Sequence, residues 1–151
     1  MVWHRIAPRY LRQDDPDGLT LAYVDRGGRD TGDLFLHLDG RGAVIRFELA
    51  YHRFLDPVEL YAEWDRVTGL RVGEIDTHGA TGSPGPRYAM SAIVRRPRHV
   101  STADLTGLLT YVKRHADALD PRHCQVVVAA LRGGIRRATN LERGDDGVNA
   151  P

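Results

Sequence analysis

Glu48, His52, Glu59 and Glu63 are the residues through which this chain could do chemistry. Each alternates with apolar neighbours: Glu48 lies between Phe47 and Leu49, and Glu63 between Ala62 and Trp64. If residues 43–52 and 58–65 form a pair of antiparallel strands, Phe47 falls opposite Trp64, Leu49 opposite Ala62 and Tyr51 opposite Leu60. The other face then presents Arg46 opposite Asp65, Glu48 opposite Glu63, and His52 opposite Glu59. Two carboxylates held directly across a strand pair repel each other. Such a pair either raises one pKa or requires a cation between its members. With an imidazole beside them, the group suits a divalent metal or general acid–base work, as in a metal-assisted hydrolase. The plainer alternative is a solvated outer face with ordinary cross-strand ion pairs.

Other polar groupings are smaller. His37 with Asp39, and Asp76 with His78, each place an imidazole and an acid two residues apart, on one face of a strand. His123 and Cys124 are adjacent, and His115 lies nearby in sequence, but nothing around them marks an activated thiol. Arg87, Arg95, Arg96, Arg98 and His99 form one basic cluster, and Arg132, Arg136 and Arg137 another. Either offers phosphate contacts, and with them nucleic-acid binding through second-half arginines. Only Tyr88 supplies an aromatic ring beside the first cluster, whereas single-strand recognition needs stacking platforms. The sequence contains no phosphate-binding glycine loop, no G-x-S-x-G, no H-E-x-x-H and no C-x-x-C. A single cysteine excludes a disulfide framework, and no cofactor is expected.

These residues need a frame. A chain of 151 residues, 42% hydrophobic and 27% charged, has the size and composition of one globular domain. Net charge is +1, but residues 1–80 carry a balance of −4 and residues 81–151 a balance of +5. Lys113 is the sole lysine against 20 arginines, a skew expected of a GC-rich bacterial genome. No apolar run approaches the length of a membrane span, and residues 1–10 lack the apolar core of a secretory leader, so the cytoplasm is the expected compartment.

Along the chain, Leu19, Leu21 and Tyr23 alternate as one strand, and Leu34, Leu36 and Leu38 as the next. A two-residue Gly40-Arg41 turn pairs Leu38 with Ala43, Leu36 with Ile45 and Leu34 with Phe47. Residues 58–65 read as a strand, although Asp56-Pro57 would also suit a helix start. Further strands are expected at 70–76 and 88–94, separated by a Gly/Pro-rich loop at 77–87. Ser101 is a helix N-cap with Asp104 three residues on, and Leu105, Leu108, Leu109, Val112, Ala116 and Leu119 line one face of a helix over about 102–119. Asp120-Pro121 could open a second helix and 124–131 is either a buried strand or a short helix, but the three valines 126–128 favour the strand. The expectation is an α+β fold: an antiparallel meander of five to seven strands, with one main amphipathic helix packed on its leucine-rich face. One domain spans 1–135, and 136–151 is a frayed polar tail.

On function, the missing catalytic signatures favour a non-enzymatic accessory or binding domain. Its partner, a protein or a small molecule, would dock on the exposed sheet face or on the 77–87 loop. Arg46, Asp65, Arg95, Arg96 and Arg98 are the candidate binding residues. No membrane partner is expected. An edge strand gives a route to a homodimer.

Overall fold

A computed structural model describes residues 3–7, 18–25, 30–52, 59–75, 95–97 and 101–145. Seven strands form one antiparallel sheet in which every neighbour is consecutive in sequence: β1 (His4–Arg5), β2 (Leu19–Asp25), β3 (Thr31–Leu38), β4 (Val44–His52), β5 (Glu59–Asp65), β6 (Gly69–Ile75) and β7 (Arg95–Pro97). Two helices follow, α1 (Thr102–Arg114) and α2 (Pro121–Asp145), joined by a short 3₁₀ turn at Ala116–Ala118. The α+β meander read from alternation is therefore the architecture found. The 77–87 loop and the strand expected at 88–94 lie outside the described residues, and β7 takes up the chain at Arg95.

Alternation sets the β4–β5 register as expected, with Phe47 opposite Trp64, Leu49 opposite Ala62 and Tyr51 opposite Leu60. The β3–β4 register differs by two residues. Leu36 faces Phe47 and Leu34 faces Leu49, while Leu38 faces Val44. Two local features produce this offset. The loop has three residues rather than two: Asp39 accepts the Arg41 and Ala43 amides on its side chain, at 2.9 Å each, and Gly42 closes the turn at φ 79°. Only glycine takes that left-handed conformation without cost. Ile45 then sits in a β-bulge, unpaired between Val44 and Arg46. The longer loop turns Val44 inward; the bulge restores the phase so that Phe47, Leu49 and Tyr51 still face the core. Asp65 and Gly69 repeat the device at the β5–β6 turn, where the Asp65 carboxylate accepts from the Val67 and Thr68 amides and the Thr68 hydroxyl.

Helix α1 begins with the expected reciprocal cap: Ser101 Oγ accepts from the Asp104 amide at 3.1 Å, and Asp104 accepts from the Ser101 amide at 3.2 Å. It is shorter than the 102–119 stripe implied, ending at Arg114 before the 3₁₀ turn. Residues 124–131 are helical, not extended. Pro121 holds the first helical position, Asp120 accepts from the Arg122 amide at 2.8 Å, and the buried positions run His123, Val127, Leu131 and Ala138. Spacings of four, four and seven follow one helix face. Packing of this face outweighs the weak helix propensity of three valines, only one of which is fully buried. The tail expected to fray is helical through Asp145. It is anchored, because Glu142 accepts the Thr102 amide at 3.0 Å and the Thr102 hydroxyl at 2.8 Å, capping α1 from the far end of α2. Both helices pack on the leucine face of the sheet around Leu34, Leu36, Phe47, Leu49, Leu108 and Val127. Gly134 marks the closest approach of α2 to β6; a Cβ there would lie 2.6 Å from Leu70 Cδ2. No helix among the described residues is long and apolar enough to cross a membrane.

Candidate functional site

Three polar constellations emerge once the strands are in place. The first was legible in the sequence. Glu48 and Glu63 face each other on the second face of the sheet, each only 7% exposed. The cation that such a pair requires is Arg46, whose Nη2 lies 2.7 Å from Glu48 and 2.9 Å from Glu63. Arg71 from β6 adds a second cation, 3.3 Å from Glu63 and 3.8 Å from Asp65. His37 from β3 stands 3.5 Å from Glu48 through Nε2 and 3.2 Å from Thr20 Oγ1 through Nδ1. Arg46 is opposite Asp65 in register but reaches toward the glutamates. Asp65 is occupied by its own turn, and the Thr68 hydroxyl, followed by the Thr68 amide, holds its carboxyl below the ordinary range. His52 and Glu59 pair across the same two strands, about 13 Å further along the strand axis, and do not join the cluster. Among the described residues no group of three or more His, Cys, Asp or Glu side chains is arranged to hold a metal ion.

The remaining sequence candidates disperse. His37 joins Glu48, whereas Asp39 caps its turn, so the two do not form a ligand pair. Asp76, His78, Arg87, Arg98 and His99 lie outside the described residues. The backbones of Arg95 and Arg96 pair with Ile75 and Glu74. Arg132, Arg136, Arg137 and Arg143 are spread along the exposed side of α2. Burial pushes the Cys124 thiol upward, away from thiolate character, and the neighbouring His123 bonds Gly42 instead.

A second constellation is interior. Trp3 Nε1 donates to the Tyr111 hydroxyl at 3.1 Å; that hydroxyl lies 3.4 Å from Asp25 Oδ2 and 3.3 Å from the Gly32 carbonyl. His115 Nε2 is 3.4 Å from the same Asp25 oxygen, and the Trp3 and His115 rings stack at 5.0 Å. Asp25 and His115 are 90 positions apart in the chain. The one available signal was that His115 falls on the inward stripe of α1, seven residues after Leu108. All four side chains are almost fully buried, which closes the cluster to substrate and makes it a structural lock between β1, β2 and α1. Burial pushes the Tyr111 hydroxyl well above its ordinary range and holds His115 below its ordinary 6.5, with Asp25 opposing the latter shift in part. The folded state therefore favours neutral His115, and this contribution to stability is complete above about pH 6.5 and declines as pH falls below it. The urea midpoint should drop between pH 7 and pH 5, and His115→Gln should make that drop smaller. An equal drop in the variant would show that His115 does not carry the effect.

The third constellation was not foreseen. The β3–β4 turn, the end of β5 and the first turns of α2 enclose a cleft of about 650 Å³. Val44, Trp64, Val126, Ala129 and Ala130 form its apolar walls, and Arg41, Arg66 and Arg122 stand at its rim. His123 Nε2 donates to the Gly42 carbonyl at 3.0 Å, latching the turn to α2. The arginines are loosely held. Arg66 is 3.9 Å from Asp39 and 3.5 Å from the Val44 carbonyl, Arg122 is 3.4 Å from Asp120, and Arg41 makes no ion pair among the described residues. A common sequence feature underlies them: Asp39-Gly-Arg41, Asp65-Arg66 and Asp120-Pro-Arg122 each place an arginine one or two residues after a turn-capping aspartate. The Ala43 and Arg41 amides hold Asp39 ionised; for Asp120 the Arg122 side chain contributes most, then its amide. Asp39 and Asp65 are thus committed to their turns, whereas Asp120 is shared between its turn and the Arg122 guanidinium. Among the described residues no acidic, hydroxyl or thiol side chain lines the cleft. No known family, curated protein or solved structure matches the chain.

Proposed function

We propose that the chain is a non-enzymatic binding domain and that its site is the cleft between the β3–β4 turn and α2. The lining carries this reading: an apolar floor with permanently protonated arginines around it can hold a ligand, while among the described residues it has no carboxylate, hydroxyl or thiol, and its one imidazole, His123, is taken up by the Gly42 carbonyl. The second face of the sheet is the less suitable surface, because Glu48 and Glu63 are already bridged by Arg46. The composition supports a cytoplasmic accessory protein, and the arginine skew a GC-rich bacterial source.

The rival remains an acid–base or metal-assisted enzyme built on Glu48, Glu63, His52 and Glu59. A broad hydrolase and acid–base screen of the purified chain, with and without added divalent metals, separates the two. No turnover above buffer is expected, and Glu48→Gln should leave metal content unchanged. Turnover that disappears in Glu48→Gln would overturn the binding-domain reading.

A further inference from the structure

We infer that the cleft takes a small organic anion: a flat apolar body bearing a single oxyanion group, carboxylate or phosphate. This rests on the reading of the chain as a binding domain and adds the chemistry of its ligand.

The volume, about 650 Å³, lies within the range of small-molecule pockets and is far larger than an inorganic ion needs. The walls ask for an apolar body. Trp64 packs against Phe47 with ring centroids 5.8 Å apart at 17°, so its indole is held in one orientation where it borders the cleft. Val126 and Ala130 from α2 also line the cleft. A flat ring fits between an oriented indole and short aliphatic side chains at little entropic cost.

The rim asks for negative charge. Arg41, Arg66 and Arg122 come from three separate elements, and among the described residues no carboxylate lines the cleft itself. Asp39 is engaged by the Arg41 and Ala43 amides and stands 3.9 Å from Arg66, while Asp120 is met by the Arg122 fork at 3.4 Å on each oxygen; these approaches are long for charge-assisted bonds. A planar oxyanion offers Arg41 and Arg66 a two-oxygen partner that neither has among the described residues, and competes with Asp120 for the Arg122 fork. The framework behind them is set in advance: the His123 bond to Gly42 ties the turn that carries Arg41 to the helix that carries Arg122.

Isothermal titration of the full chain with four probes tests this. 2-Naphthoate and 2-naphthyl phosphate carry ring and charge, 2-naphthamide carries the ring alone, and inorganic phosphate the charge alone. At least one naphthyl anion should bind saturably, roughly tenfold or more tighter than the amide or inorganic phosphate. Whichever anion is tighter assigns the head group. The triple variant Arg41→Gln, Arg66→Gln, Arg122→Gln alters only exposed side chains. It should keep the wild-type melting temperature while losing roughly tenfold or more in affinity for that anion. Equal binding of the amide, unchanged affinity in the triple variant, or no saturable binding of either anion would each overturn the inference. Failure here removes the ligand class alone; the binding-domain reading falls only if the activity screen finds turnover.

Discussion

Replacing Arg46 with methionine should cost about 3 kcal/mol of folding stability at neutral pH, and the loss should shrink in acid. The guanidinium bridges Glu48 and Glu63 at 2.7 and 2.9 Å, and both carboxylates are about nine-tenths shielded from water. Methionine keeps most of the aliphatic stem but leaves two opposed anions in a site of low polarity. Arg71 continues to serve Glu63 at 3.3 Å, and Arg46 is itself partly exposed, so the loss belongs at the lower end of the range for a broken buried pair. The pH signature follows from linkage. Without the bridging cation the two opposed carboxylates repel each other across the strand pair. Protonation then restores stability as pH falls toward 5, the reverse of ordinary acid denaturation. Urea unfolding of wild type and variant at pH 7.5 and pH 5 measures both effects. Adding Glu48→Gln to Arg46→Met should recover much of the deficit. A loss below about 1 kcal/mol with no pH dependence would show the polar face to be an ordinary wet surface.

Phe47→Ala should be as damaging, at about 3–5 kcal/mol. The ring is fully buried, opposes Leu36 on β3 and stacks on Trp64 of β5, so its loss opens a cavity at the centre of the sheet. Ile45→Ala is the informative comparison. Strict alternation from Ala43 would place Ile45 in the same wall as Phe47, but the bulge leaves it unpaired and only partly buried. Its truncation should cost about 1 kcal/mol or less. Denaturant midpoints for the two variants therefore test the register directly. Similar losses would mean that the β3–β4 pairing follows the two-residue turn after all.

Where every residue of a strand counts once, the register was legible. Phe47–Trp64, Leu49–Ala62 and Glu48–Glu63 all follow from period-two alternation, because any one-residue slip would bury the charges and expose the rings. The same logic stopped at Ile45. A bulge adds one residue without changing the local composition, and the Asp39 amide bonds that lengthen the turn were hidden behind a plausible glycine turn. Helix α2 was missed for a different reason. Val126, Val127 and Val128 have β propensity, and the inward stripe that overrides it becomes visible only when His123 and Ala138 are counted with Val127 and Leu131. The candidate sites divide along the same line. The need for a cation between Glu48 and Glu63 was readable from one strand pair. The cleft was not, because Arg41, Arg66 and Arg122 are brought together by three turns far apart in sequence, and nothing local foretells that α2 crosses the sheet beside the first hairpin.

Strands that follow one another in space as they do in the chain have a kinetic consequence. Each hairpin from β2 to β6 can zip onto the previous one with only a short loop to close, and the Thr102–Glu142 clasp joins helices only 40 residues apart. Such a topology folds quickly for its β content. The contacts between helices and sheet are the exception: His123 to Gly42 spans 81 positions, His115 to Asp25 spans 90, and the contact between Trp3 and Tyr111 spans 108. The last can form only after the rest has assembled, so it acts as a closing bolt that slows escape from the native state and leaves the speed of arrival unchanged.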